Sequence, residues 1–259
     1  MRIVRFAAQG DVSFGVLEGP GEDPADLVVA VASGHPFAPM QLTGERLPLA
    51  QVKLLAPVLP SKILGIGRNY ADHAAEMGGT PPTTPSVFLK PNTAVIGPGD
   101  AITLPRDSEH VDHEAELAVV IGRLCREVPR ERAYDVVLGY TCGNDVTARD
   151  WQRSDGQWSR AKGHDTFAPL GPWVETELDV SDVAVRATVD GELRQDGRTA
   201  DLVHDIPSLI EWITRYMTLL PGDVILTGTP AGVGPLAPGQ SVSVSVEGIG
   251  TLTNPVVSR

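Results

Sequence analysis

Cysteine is scarce in this chain of 259 residues: Cys125 and Cys142 are the only two. That is too few for a disulfide framework, and both read as reduced thiols. Long apolar runs are missing too, and none approaches the roughly 20 residues of a membrane span. The opening Met1-Arg2-Ile3-Val4-Arg5-Phe6 alternates in polarity like a strand and lacks a secretory apolar core, so a cytoplasmic location is expected. Basic residues are outnumbered, 21 Lys+Arg against 33 Asp+Glu, for a net charge of −12. Nucleic acid and anionic membranes are attracted by basic patches, so neither is an expected partner. Aromatics supply only 5% of residues, yet 42% hydrophobic and 21% charged is ordinary globular composition, and the length suffices for a sizeable core.

Glycine (27) and proline (22) are abundant, which predicts short strands and tight turns. The expected class is mainly β with a few helices (α+β). Short apolar runs at residues 52–55, 62–65, 86–89 and 224–227 read as strands, and Ser-Val-Ser-Val-Ser-Val at 241–246 alternates as a half-buried antiparallel strand does. Asp190-Gly191 predicts a hairpin turn. One helix is expected over residues 206–219, with Asp205 as N-cap, Pro207 in the first turn and Pro221-Gly222 as the stop. A shorter one is expected over residues 69–77, ended by Gly78-Gly79. The segment Pro57-Val58-Leu59-Pro60 reads as a connector, dividing a small β-rich N-terminal domain (1–57) from the remainder (58–259).

Two glycine patterns fail as nucleotide motifs. Gly65-Ile66-Gly67 has Tyr70 where the third glycine of a dinucleotide fingerprint belongs. The run Gly228-Thr229-Pro230-Ala231-Gly232-Val233-Gly234 lacks the Gly-Lys-Ser/Thr ending that grips phosphate.

More informative is Val111-Asp112-His113-Glu114-Ala115-Glu116-Leu117. On a strand Glu114 and Glu116 share a face, and two adjacent carboxylates repel unless a cation or protons intervene. Asp145 follows at the end of a second apolar stretch. Three carboxylates without thiolate or imidazole suit a hard divalent ion, Mg²⁺ first, then Mn²⁺ or Ca²⁺; Glu-x-Glu by itself also fits a solvated strand face. On repulsion alone, removing Asp145 should leave the metal-free fold equally stable or more so. In the second helix His73 and Glu76 lie at i and i+3, where a carboxylate orients an imidazole and raises its basicity; taken alone, the pattern fits an exposed helix with one His–Glu contact better. Lys162 and Lys90 sit among apolar and glycine residues. Each is either a snorkelling surface lysine or a local cation for an anionic substrate.

Read together, these segments resemble the fumarylacetoacetate hydrolase family, in the bacterial branch of acylpyruvases and 2-hydroxyhepta-2,4-diene-1,7-dioate isomerases. The resemblance spans residues 62–256. It rests on Gly67-Arg68-Asn69-Tyr70-Ala71-Asp72-His73, Phe88-Leu89-Lys90-Pro91, Glu114-Ala115-Glu116, Asn144-Asp145-Val146-Thr147-Ala148-Arg149-Asp150, Ala161-Lys162-Gly163 and Thr227-Gly228-Thr229-Pro230, in order. It implies a twisted roll of mixed β-sheets with a small N-terminal domain, and a homodimer. It implies Mg²⁺ or Mn²⁺ on Glu114, Glu116 and Asp145. His73, Glu76 and Lys162 become the expected catalytic residues, and Arg68, Lys90, Arg149, Gln152 and Thr229 the expected binders of a small anionic keto acid. The implied reaction is metal-dependent hydrolysis of a C–C bond in a 2,4-diketo acid; isomerisation of a hydroxydienedioate or decarboxylation of oxaloacetate uses the same residues, and a non-catalytic scaffold is the remaining alternative. Residues 70–85, poor in apolar anchors, are expected to form a lid with Gly78 and Gly79 as hinge.

Overall fold

The valines of the alternating run Ser241–Val246 all turn inward, and its serines lie at the half-buried face. The computed structural model to which this strand belongs describes residues 1–21 and 23–259. Asp190 and Gly191 both take positive φ, 51° and 82°, as a tight hairpin between Ala184–Val189 and Glu192–Arg198 requires.

Most strands join one large sheet. Its order runs Gln41–Pro48, Val28–Ser33, Asp11–Glu18, Arg2–Ala8, Ala168–Glu175, Val137–Asn144, Ala115–Ile121, Val224–Leu226, Ile63–Gly67, Ser86–Lys90. Neighbours are antiparallel except Val224–Leu226 beside Ile63–Gly67. A five-stranded sheet, Glu192–Arg198, Ala184–Val189, Ser241–Val246, Gly250–Ser258 and Ile102–Leu104, packs across Ala115–Ile121 and Val137–Asn144. Val185, Val244, Val246 and Leu252 meet Leu117, Val119, Cys142 and Trp173 there, all buried. The fold is mainly β with mixed sheets, as expected. Among the described residues no helix is long and apolar enough to cross a membrane, and no disulfide links the two buried cysteines.

The described residues form four α-helices, all short: α1 (Ala71–Glu76), α2 (Arg149–Ser154), α3 (Ser159–Gly163) and α4 (Ile206–Thr214). Helix α4 is capped by Asp205 as expected, its side chain accepting from Ser208 N–H. It stops five residues before the expected end at 219. The Thr214 hydroxyl bonds back to Ile210 C=O and receives Val128 N–H, and the Thr214 carbonyl takes Glu127 N–H. Leu219 is thereby free to bridge Cys125 instead of extending the helix. Helix α1 starts two residues late because Asn69 is a clasp: its amide donates to His204 C=O and Thr227 C=O, and its oxygen accepts from His204 N–H.

Candidate active site and metal centre

The two glutamates do not lie on one unbroken strand. Glu114 sits in the gap between Val111–His113 and Ala115–Ile121, where Asn144 Oδ1 accepts its N–H at 3.0 Å. Its carbonyl takes Asp145 N–H at 2.9 Å, which places Asp145, just past the strand Val137–Asn144, beside it. Glu116 follows on the strand proper. One oxygen from each of Glu114, Glu116 and Asp145 lies within 4.8 Å of the others, and all three residues are buried.

The cations that repulsion demands are present. Lys162, from α3, donates to Glu114 Oε2 at 2.8 Å and Asp145 Oδ2 at 2.6 Å. Lys90, at the end of Ser86–Lys90, donates to Asp145 Oδ1 at 2.5 Å and to Val146 C=O. Arg149, opening α2, pairs with Glu114 Oε1 at 2.6 Å, Asp112 Oδ2 at 2.7 Å and Gln152 Oε1 at 2.9 Å. Among the described residues Glu116 has no such partner; its Oε2 accepts Gly228 N–H, at 2.7 Å. Burial pushes the Glu116 carboxyl well above the usual carboxylate range, and Asp145 and Glu114 push it the same way. Burial also opposes ionisation of Glu114, but Lys162 and Arg149 outweigh it and hold that carboxyl well below the usual range. Burial lowers the Lys90 ammonium despite Asp145. Four buried carboxylates, Asp112 included, thus meet three buried cations, and the uncompensated one is Glu116. An all-oxygen set short of one positive charge fits a hard divalent cation.

A cavity of about 300 Å³ opens over Glu114 and Glu116. Arg68, His73, Arg149, Gln152, Lys162 and Thr229 also line it, so the structure gathers most of the expected residues in one place. Three do not line it. Asp145 and Lys90 are engaged with each other and with Lys162, and Glu76 is reached through His73, Oε2 to Nδ1 at 3.2 Å. Glu76 Oε1 accepts Gly232 N–H at 3.0 Å, tying α1 to the glycine-rich loop. The Thr229 hydroxyl donates to Ala115 C=O.

The sequence reading overlooked several lining residues. Arg153 stands at i+4 from Arg149 and i+1 from Gln152, a helical spacing that could have flagged it. Phe88 and Trp158 form an aromatic wall, ring centroids 5.5 Å apart, with Lys162 Nζ 4.9 Å from the Phe88 centroid. That wall explains Gly65: a Cβ there would fall 2.1 Å from the Phe88 ring. The second glycine run serves the glutamates, since Gly228, at φ +105° against Asn69, offers Glu116 its N–H.

The model of the fumarylacetoacetate (FAA) hydrolase C-terminal domain matches residues 62–257, and that of the Rv2993c-like N-terminal domain matches residues 1–57. The chain belongs to the fumarylacetoacetate hydrolase family. Within that family it is 55% identical to protein Rv2993c of Mycobacterium tuberculosis, over 100% of this chain and 99% of that protein. It superposes on the 5-carboxymethyl-2-hydroxymuconate delta-isomerase of Mycobacterium smegmatis with a TM-score of 0.93 and 57% identity, covering 100% of both chains. For the 2-hydroxyhepta-2,4-diene-1,7-dioate isomerase of Mycobacterium marinum the TM-score is 0.94 and the identity 50%, over 100% of this chain and 99% of the other. The maleylpyruvate hydrolase of Sphingobium sp. SYK-6, solved with manganese(II) and pyruvate, gives a TM-score of 0.80 and 34% identity, over 100% and 99%.

Proposed function

We propose that this member of the family is a metal-dependent hydrolase that cleaves a C–C bond in a 2,4-diketo acid of the acylpyruvate or fumarylpyruvate type. The observation that carries this reading is His73 on the cavity that holds Glu114 and Glu116, with Glu76 behind it on Nδ1. Glu114, Glu116 and Asp145 would hold Mg²⁺, or Mn²⁺ as in the maleylpyruvate hydrolase relative. Bound there, the ion would supply positive charge against the α-keto acid oxygens, where negative charge builds during cleavage.

The chain's own groups supply the rest. Glu76 engages His73 Nδ1, leaving Nε2 to take a proton from water. The water oxygen bonds to the distal carbonyl carbon, and the bond from that carbon to C3 breaks. Its electron pair goes to C3, which regains the proton from the His73 imidazolium, giving pyruvate and a carboxylic acid. Lys162 and Arg149 keep Glu114 ionised, and Gln152 orients Arg149. Arg68 and Arg153 line the cavity and, among the described residues, neither meets a carboxylate. They suit a second carboxylate at the substrate's far end, with the planar middle against Phe88 and Trp158.

A second reading, isomerisation of a hydroxydienedioate, draws support from the two isomerase structures at 57% and 50% identity, above the hydrolase at 34%. One assay separates the two. Fumarylpyruvate and acetylpyruvate with Mn²⁺ should release pyruvate, EDTA should stop the release, and His73→Asn should slow it about 10²–10⁴-fold. Absorbance change without pyruvate from a dienedioate would favour isomerisation, and turnover untouched by EDTA would remove the metal from the reading.

A further inference from the structure

Between the two glutamates lies Ala115, and both of its peptide groups are held by side chains. The strand Val224–Leu226 pairs with Ala118–Val120 and ends there. Past that point the edge of Ala115–Ile121, buried throughout, is completed by the loop that follows. Thr227 donates through N–H and hydroxyl to Leu117 C=O, Thr229 donates to Ala115 C=O at 2.8 Å, and Ala115 N–H reaches Gln195 Oε1 at 2.9 Å.

Gln195 comes from the other sheet and is fully buried. Its strand carries a bulge: Ala187 pairs with Gln195 but Thr188 with Leu193, so Arg194 is the inserted residue. The insertion lets Gln195 point inward while Leu193, two positions earlier, stays exposed. Every bond direction around its amide is forced. Ala115 N–H can only donate, so Oε1 faces it; Pro230 C=O can only accept, so Nε2 faces that, at 2.8 Å. His113 Nδ1, 2.9 Å from Oε1, must then carry a proton. Thr229 Oγ1 must accept from Nε2 at 2.7 Å, and its own hydrogen is left for Ala115 C=O. No member of this network can rotate without stranding a buried polar group.

We infer that Gln195 is a positioning residue for the carboxylate pair, acting with Thr229 to fix the Ala115 peptide and so the separation of Glu114 from Glu116. This rests on the reading of Glu114, Glu116 and Asp145 as a metal site. Partners of this kind, one shell away from the ligands, typically change metal affinity about 10–100-fold when removed.

The test is Mn²⁺ titration by calorimetry on the full chain, beside thermal unfolding of the same proteins in EDTA. Thr229→Val, which keeps the shape and loses the hydroxyl, and Gln195→Met should both bind Mn²⁺ about 10-fold or more weakly. Thr229→Ser, which restores the hydroxyl, should bind as the wild type does. Should Gln195→Met not fold, the Val and Ser pair at position 229 decides. Folded variants that bind Mn²⁺ with wild-type affinity, whatever their unfolding temperature, would show a purely structural network and overturn the inference. A wild type that takes up no Mn²⁺ would instead overturn the metal reading beneath it.

Discussion

Asp145 accepts from a buried ammonium on each oxygen, Lys90 on Oδ1 and Lys162 on Oδ2. This reverses what carboxylate repulsion alone leads one to expect of its removal. Asp145→Ala relieves one repulsion but takes from desolvated Lys90 its carboxylate partner and leaves Lys162 with Glu114 alone, and breaking a buried pair by deleting one partner costs about 3–5 kcal/mol. The variant should therefore lose Mn²⁺ binding and also unfold at lower urea in EDTA than the wild type. Equal or greater metal-free stability would show that repulsion dominates after all. The carboxylates were legible in the sequence because their type and spacing carry the chemistry. Their counter-ions were only partly so. Lys90 and Lys162 drew notice as lysines in apolar surroundings, but the choice between a surface stem and a buried partner depends on contacts 55 and 17 residues away. Gln195 left no signal, because its role comes from a bulge and a network that close only in three dimensions.

At the level of elements, caps and turns read well and lengths did not. Asp205 was visible as the cap of α4, whereas the early stop at Thr214 depends on the distant Glu127-Val128 segment. Burial opposes ionisation of Asp205, but bonds from Arg130 and Ser208 bring it down to about 2. An unfolded aspartate titrates near 3.9. Its folded value is thus depressed, so its ionised form adds stability that is fully present above about pH 4 and is lost as pH falls towards 2. Asp205→Ala should cost about 1 kcal/mol at neutral pH, with Asp205→Asn retaining most of the cap. The gap in unfolding free energy between wild type and Asp205→Asn should shrink between pH 4 and 2; a gap independent of pH would mean the ion pair with Arg130 contributes nothing. The segment over residues 70–85 divides similarly. Gly78, at φ +75°, ends α1 by donating to Ala75 C=O while Gly79 donates to Ala74 C=O, a helix stop rather than a free hinge. Beyond it, Pro82 C=O meets His204 Nε2 at 3.0 Å. Hydrogen exchange should therefore find the amides of Gly78 and Gly79 protected at rest, and those of Thr80, Thr83 and Thr84 gaining protection when oxalate is added to the Mn²⁺-loaded protein. Identical exchange in both states would mean that no lid closes.

Across the whole molecule, the connector at residues 57–60 marks a change in sequence character, and the two family models also meet there, at 57 and 62. The packing runs straight through that boundary. Arg2 and Ile3 pair with Glu175 and Val174, which makes the N-terminal strands a continuation of the large sheet. Pairings between residues so far apart in sequence carry no local signal, and for that reason the strand order was not legible in advance. Val4, Phe6, Leu17, Leu27, Val29 and Val31 belong to the same buried cluster as Leu64, Leu117, Val119 and Ile121. Ile3 packs with Val120, Leu170 and Val174 in a second one. Two bodies that share one apolar core cannot separate without exposing it, so unfolding of either side is coupled to loss of packing on the other. Scanning calorimetry of the metal-free chain should therefore show one transition, with van't Hoff and calorimetric enthalpies equal. Its heat-capacity change should be that of all 259 residues, about 3–4 kcal/mol/K, rather than of either part. Ile3→Ala, a truncation on the N-terminal strand, should lower that single transition as a whole. Two resolved transitions, with only the smaller one moved by Ile3→Ala, would make residues 1–57 an independent folding unit.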